Sequence, residues 1–172
     1  MRTNRHKFPA NWPAPENYLV ELGRMTALWG LLESTCVLAL GKLAGYSEIL
    51  DIRIVILTAH SNFQQRVDAI SAMCEHLLPI RPQLQNYELI IKLLKAAQKT
   101  RNKYTHNGIA TNDEIGEVVL SYATARGSLK LNTEVVHLAD IKEACSKIHE
   151  AQCSLYSLIT ETNLPPIWER RN

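Results

Sequence analysis

The chain has few of the features that most quickly assign a chemistry. No G-x-G-x-x-G, no G-x-x-x-x-G-K-[ST] and no H-E-x-x-H occurs, so the common phosphate loops and the commonest zinc-protease helix are excluded. The four cysteines, Cys36, Cys74, Cys145 and Cys153, show no C-x-x-C spacing and each falls inside a helical pattern. They read as free, partly buried thiols of a reducing compartment. Aromatic residues are only 6% of the chain, too few for an extended base-stacking surface. No charge of one sign dominates: 19 basic and 17 acidic residues leave a net +2, so any site for a polyanion has to be local. The basic ends, "MRTNRHK" and "ERRN", read as solvated tails. The first apolar run, "TALWGLLESTCVLALGKLAG", is interrupted by Glu33 and starts too late for a signal peptide; it also reads as too short and too polar to span a bilayer. A cytoplasmic protein without a membrane partner is the expectation.

What the chain does have is length and apolar content. Its 172 residues, 46% hydrophobic, suit one domain with a real core. Residues 1–16, with Pro9, Pro13 and Pro15, read as an irregular arm, residues 17–162 as the domain, and residues 163–172, after Pro165-Pro166, as an irregular tail into which Trp168 tucks back. Apolar spacing at i, i+3, i+4, i+7 predicts a first helix from about Asn17 to Ala44. "SEILDIRIVILTA" is rich in β-branched residues, yet a lone strand there has no neighbour to pair with, so a short helix is expected. Ser61 looks like the N-cap of a helix from Asn62 to Leu77, which Pro79 and Pro82 end. Another helix is expected from Leu84 to Thr105, stopped by Asn107-Gly108. Short apolar runs in Glu117–Leu138, with a turn at Arg126-Gly127, predict a β-hairpin. A last helix spans about Ala139 to Thr162. The expected fold class is all-α: an antiparallel helical bundle with a small β-hairpin inserted before the last helix.

Two charges fall where apolar residues belong. At about 100° per residue, Ile90, Leu94, Ala97, Arg101 and Tyr104 share one face, and Arg101 lies near its middle. On the first helix Leu22, Trp29, Glu33, Cys36 and Leu40 share a line, with Glu33 inside it. An isolated charge taken out of water costs several kcal/mol, so Glu33 and Arg101 are expected to meet, within one chain or across a dimer. Either the pair sets helix register, or Arg101 is held in a polar pocket for an anion. Asn102 and His106 are i, i+4 neighbours, and a long Arg side chain can reach the imidazole at the helix end. Arg101, Asn102 and His106 therefore combine a permanent phosphate fork, a positioning amide and a group titrating near neutrality. Lys95, Lys99 and Lys103 form an i, i+4, i+8 ridge beside them, either a solvated face or a phosphate track. Cys145, His149 and Cys153 at i, i+4, i+8 read as packing rather than a zinc set, and no cofactor or metal is expected.

The segment Arg101-Asn102-Lys103-Tyr104-Thr105-His106, with the acid-bearing first helix "LWGLLEST", resembles the HEPN superfamily. Those proteins are helical bundles carrying an R-x4–6-H motif near the end of a late helix, often with Asn after the Arg. The resemblance implies a homodimer in which two motifs meet across a two-fold axis. It implies a metal-independent endoribonuclease in which His106 moves protons, Arg101 stabilises the scissile phosphate and Asn102 orients them, leaving a 2′,3′-cyclic phosphate and a 5′-hydroxyl. It also implies a toxin or antiviral-defence role, with an antitoxin or defence partner. One toxin subset carries a Tyr two residues after the His as its modification target; Gly108 stands there here, which puts that mode of control in doubt. Other members lack nuclease activity and serve as dimerising or ligand-binding modules, the second reading of this chain.

Overall fold

Helix α1, Glu16–Leu43, begins directly after Pro15, which cannot donate to a preceding turn, and its apolar residues run along most of its length. Met25, Leu32, Cys36 and Ala39 are fully buried along it, so α1 is the central rod of the fold. In the computed structural model, which describes residues 8–48, 51–125 and 127–170, α1 packs against every other long helix. The tails Met1–Lys7 and Arg171–Asn172, residues 49 and 50 of the expected short helix region, and Arg126 of the expected hairpin turn lie outside the described residues.

Asp51 caps α2, Ile52–Thr58, by accepting from the Arg53 N–H at 2.8 Å, and the short helix is confirmed. Only Ile54 and Thr58 of α2 are buried. Helix α3, Phe63–Leu77, is capped by Asn62 rather than Ser61: the Asn62 side chain accepts from the Gln65 N–H at 3.0 Å, and Gln65 returns the bond to Asn62, a capping box. Ser61 instead donates to the Thr58 carbonyl. Pro82–Leu84 forms a 3-10 turn, so α4 starts later than periodicity suggested, at Tyr87, and runs to Thr105. Helix α5, Leu138–Thr160, is buried through Ile141, Ala144, Ile148 and Ala151 against α1 and α4.

The segment after α4 corrects the expected fold class. Gly108–Asn112 is a strand, β1, antiparallel to β2, Glu117–Thr124, which in turn pairs with β3, Lys130–Val135. The hairpin of the expectation is β2–β3, but it is two-thirds of a three-stranded sheet in the order β1-β2-β3. Among the described residues the chain is therefore mixed α/β, five helices with one antiparallel sheet, and not an all-α bundle. "GIATN" is short, half polar and lacks clear alternation, so its sequence carries little strand signal. Its pairing, Ile109 opposite Leu120 and Thr111 opposite Val118, is supplied by β2, whose Val118, Val119 and Leu120 are buried. The Thr111 N–H also donates to the Pro13 carbonyl at 2.9 Å, so the N-terminal arm covers the free edge of β1.

Helix α1 is, by length and composition, long and apolar enough to cross a bilayer, further than its interrupted run suggested; half of the qualifying window is buried inside the fold. All four cysteines are free and buried. Cys153, off the apolar stripe on a helical wheel, is covered by the C-terminal segment, whose Arg170 donates to its Sγ at 3.8 Å.

Burial pushes the Cys36 thiol up to about 12 and the Cys74 thiol up to about 11. In the unfolded chain these thiols ionise near their ordinary value of about 8.5–9, so above that pH the unfolded state has lost protons that the folded state keeps. Stability is expected to fall as pH rises beyond about 9, measured by urea titration at several pH values. A thiol reagent at pH 8 is expected to leave the native protein unlabelled and to modify four thiols after unfolding. Fast labelling of Cys36 or Cys74 in the native state would contradict the burial.

Candidate functional site at the end of helix α4

The face of α4 that holds Ile90, Leu94, Ala97 and Tyr104 is buried as the periodicity requires. Arg101 lies on it, half-buried, and its guanidinium carbon sits 5.1 Å from the Trp29 ring centroid on α1. Trp29 is itself packed on Phe63 of α3 at 4.4 Å between centroids. The charge is therefore carried on an aromatic face at the boundary of the core, an arrangement worth about 0.5–2 kcal/mol.

Within one chain Glu33 does not meet Arg101. Among the described residues no ion pair joins them, and Glu33, half-buried one turn beyond Trp29, shares the surroundings of Cys36 with Arg66 of α3. The reading in which a Glu33–Arg101 pair fixes helix register has no support within the chain. The physical reason is positional. Trp29 and Glu33 are i, i+4 on the same line of α1, and the guanidinium stops over the ring before it reaches the acid.

Arg101, Asn102 and His106 do come together. Arg101 Nη1 donates to Asn102 Oδ1 at 3.1 Å and lies 3.2 Å from His106 Nε2. A guanidinium has only donors, so a hydrogen bond here makes Nε2 the acceptor and places the imidazole proton on Nδ1. His106 is exposed at the helix end, where its N–H bonds back to the Asn102 carbonyl at 3.3 Å. The helix does not end on a left-handed glycine. Asn107 Nδ2 caps the Lys103 carbonyl at 2.7 Å, and Gly108 opens β1. The sheet thus fixes the direction in which the chain leaves His106.

The lysine ridge is divided. Lys95 pairs with Asp68 of α3 at 3.6 Å, and Lys103 pairs with Glu134 of β3 at 2.8 Å. The Glu134 hydrogen bond also raises the Lys103 ammonium above its ordinary value. Lys99 lines a cleft of about 620 Å³ between α4 and α5 that also holds Asp140, Glu143 and Lys147. No continuous basic track leads to Arg101 along these three residues.

The sequence reading overlooked Trp29 as a platform, although an aromatic one turn from Glu33 on the same stripe was the available signal. It also overlooked Glu134, which can be found only once the third strand is in place. Of the Cys145, His149 and Cys153 set, only two meet: Cys153 Sγ sits 3.6 Å from His149 Nε2, while the Cys145 thiol turns away and donates to the Glu21 carbonyl at 3.5 Å.

In the neutral form His106 is expected to be the Nδ1–H tautomer, read from imidazole ¹⁵N shifts, and Arg101→Ala is expected to remove that bias. An Nε2–H tautomer in the unaltered protein would contradict the arrangement.

Comparison with family models, with curated proteins and with solved structures finds no match to this chain.

Proposed function

We propose that the chain is a metal-independent endoribonuclease of HEPN type that works as a homodimer. The observation that carries this reading is the convergence of a guanidinium, an amide and an imidazole within hydrogen-bond distance at one exposed helix end. The three groups suit cleavage of an RNA phosphodiester by its own 2′-hydroxyl. His106 Nε2, the ring nitrogen that faces Arg101, takes the 2′-OH proton as the 2′-oxygen bonds to phosphorus. The bond from phosphorus to the 5′-oxygen breaks, and that oxygen takes a proton from an imidazolium, the second copy's in a two-fold site. The products are a 2′,3′-cyclic phosphate and a 5′-hydroxyl.

Arg101 uses one nitrogen on Asn102 and His106, and its remaining N–H groups can face the negative charge that grows on the equatorial phosphate oxygens. Trp29 holds the guanidinium from below, so little reorganisation is needed when phosphate arrives. Asn102 sets the position of Arg101 rather than touching substrate first. A cytoplasmic location and a partner that restrains the activity, an antitoxin or a defence component, go with this reading. Neutralisation of Lys95 and Lys103 favours the second reading, a non-catalytic dimerising or nucleotide-binding module, because it weakens the electrostatic pull on a long RNA.

Cleavage of single-stranded RNA in EDTA separates the two. Activity is expected, with His106→Ala and Arg101→Ala each lowering kcat by about 10²–10⁴-fold while melting as the unaltered protein does. A 2′-deoxy residue at the cut position is expected to block cleavage. Full activity in His106→Ala, or activity that needs a divalent ion, would contradict the proposal; a folded dimer that cuts no RNA would leave the binding module.

The dimer is tested separately by light scattering, with an expected mass of twice the chain's 19.4 kDa. A monomer at all concentrations would rule out a site shared between two copies.

A further inference from the structure

After α5 the chain turns back along the helix it has just left. Glu161 makes the turn in the left-handed region at φ 57°. Leu164 is tied to the helix, its N–H donating to Ser157 Oγ at 3.0 Å. Pro165 and Pro166 follow and have no N–H to give. Beyond them, among the described residues, two polar contacts hold the segment on α5. The Ile167 N–H donates to His149 Nε2 at 3.0 Å, and Arg170 donates to Cys153 Sγ at 3.8 Å. Trp168 adds an edge-on contact with the His149 ring, 5.5 Å between centroids. Ile167 and Trp168 remain 64% and 54% exposed, so little apolar burial fixes this end.

The bond at Ile167 exists in only one charge state of the imidazole. A backbone N–H supplies the proton, so His149 Nε2 offers a lone pair and is itself unprotonated. A proton on Nε2 turns the acceptor into a donor and sets two N–H groups against each other. The charges around the ring act in the same direction. The segment brings Arg170 toward His149, and Glu169 toward Cys153. His149 also lines a cleft of about 720 Å³ between α1 and α5, with the Glu21–Arg24 pair on α1 and Lys142 and Cys145 on α5. Cations outnumber acids in this set, so a further positive charge on the ring is unfavourable. Burial first, and then the Arg170 guanidinium, hold the His149 imidazole below its ordinary value.

We propose that residues 165–170 form a clasp that neutral His149 fastens to α5 and that protonation of this imidazole releases. Leu164, tied to Ser157, stays in place and is the hinge. Release uncovers Cys153, which is 1% exposed while the clasp is closed, and removes the Ile167 and Trp168 wall from the cleft. The direction follows from linkage. In the open form the ring takes up its proton near the ordinary pKa of about 6.5. In the closed form it does so at lower pH, so the open form binds the proton more readily. Closure is fully supported above about pH 6.5 and weakens as pH falls below it. The device uses none of Arg101, Asn102 and His106, so it stands whether or not the chain cleaves RNA.

The test follows the full-length, unaltered protein by NMR from about pH 8 to about pH 5. The Ile167 amide and the Trp168 indole N–H are expected to shift together with the His149 ring, at one midpoint below about pH 6.5, while amides of α3 keep their positions. Labelling by a dipyridyl disulfide, which stays reactive in acid, gives a second readout. Measured against free cysteine under the same conditions, Cys153 is expected to react about three to ten times faster at about pH 5.5 than at about pH 7.5. His149→Gln keeps an acceptor but cannot titrate, and is expected to abolish both responses. Ile167 and Trp168 signals that stay fixed while His149 titrates overturn the proposal, whatever the folding of the variant. So do a His149 that stays neutral to about pH 5, equal Cys153 labelling at the two pH values, an unchanged response in His149→Gln, or a transition shared by the core helices.

Discussion

The site depends on one placement, the Arg101 guanidinium over the Trp29 ring. A permanent charge on the core face of α4 has to be carried by something, since burial alone is costly. The indole carries it at the edge of the core, and Phe63 carries the indole. From there the guanidinium turns along its own helix to Asn102 and His106 instead of across to a carboxylate. An ion pair with Glu33 would have neutralised Arg101. The aromatic platform holds the charge without cancelling it.

The sheet has a similar positional role. Because β1 begins at Gly108, the chain is constrained two residues after His106, and Asn107 closes the Lys103 carbonyl in the last turn of α4. Glu134 reaches back from β3 to Lys103, one residue from Asn102. An exposed helix end would otherwise fray. Here it is tied on one side by a cap and on the other by strand pairing, and the N-terminal arm in turn occupies the outer edge of β1 through Pro13.

How much of this was legible in the sequence depends on the range of the interaction. Helices α1, α3, α4 and α5 were visible because their apolar residues repeat locally, and Arg101, Asn102 and His106 were legible because they lie within six residues of one another. The choice of Asn62 over Ser61 as a cap was misread because both types can cap and only geometry decides. Strand β1 was hidden because "GIATN" gains its structure from its partner β2, not from its own pattern. Glu33 was expected to meet Arg101 within one chain or across a dimer; within the chain it makes no ion pair with it, because a helical wheel gives direction but not reach. The burial of Glu21 was not legible, since α5 packs on α1 there from more than a hundred residues on, with Cys145 against the Glu21 carbonyl.

The central claim is that the Arg101, Asn102 and His106 cluster grips a scissile phosphate. The most direct measurement is a crystal structure of the protein with a non-cleavable 2′-fluoro dinucleotide. The account predicts a phosphate oxygen within hydrogen-bond distance of the Arg101 guanidinium, and the sugar 2′ position facing His106 Nε2. A dinucleotide seated elsewhere, with Arg101 still on Trp29 and no phosphate beside it, would contradict it.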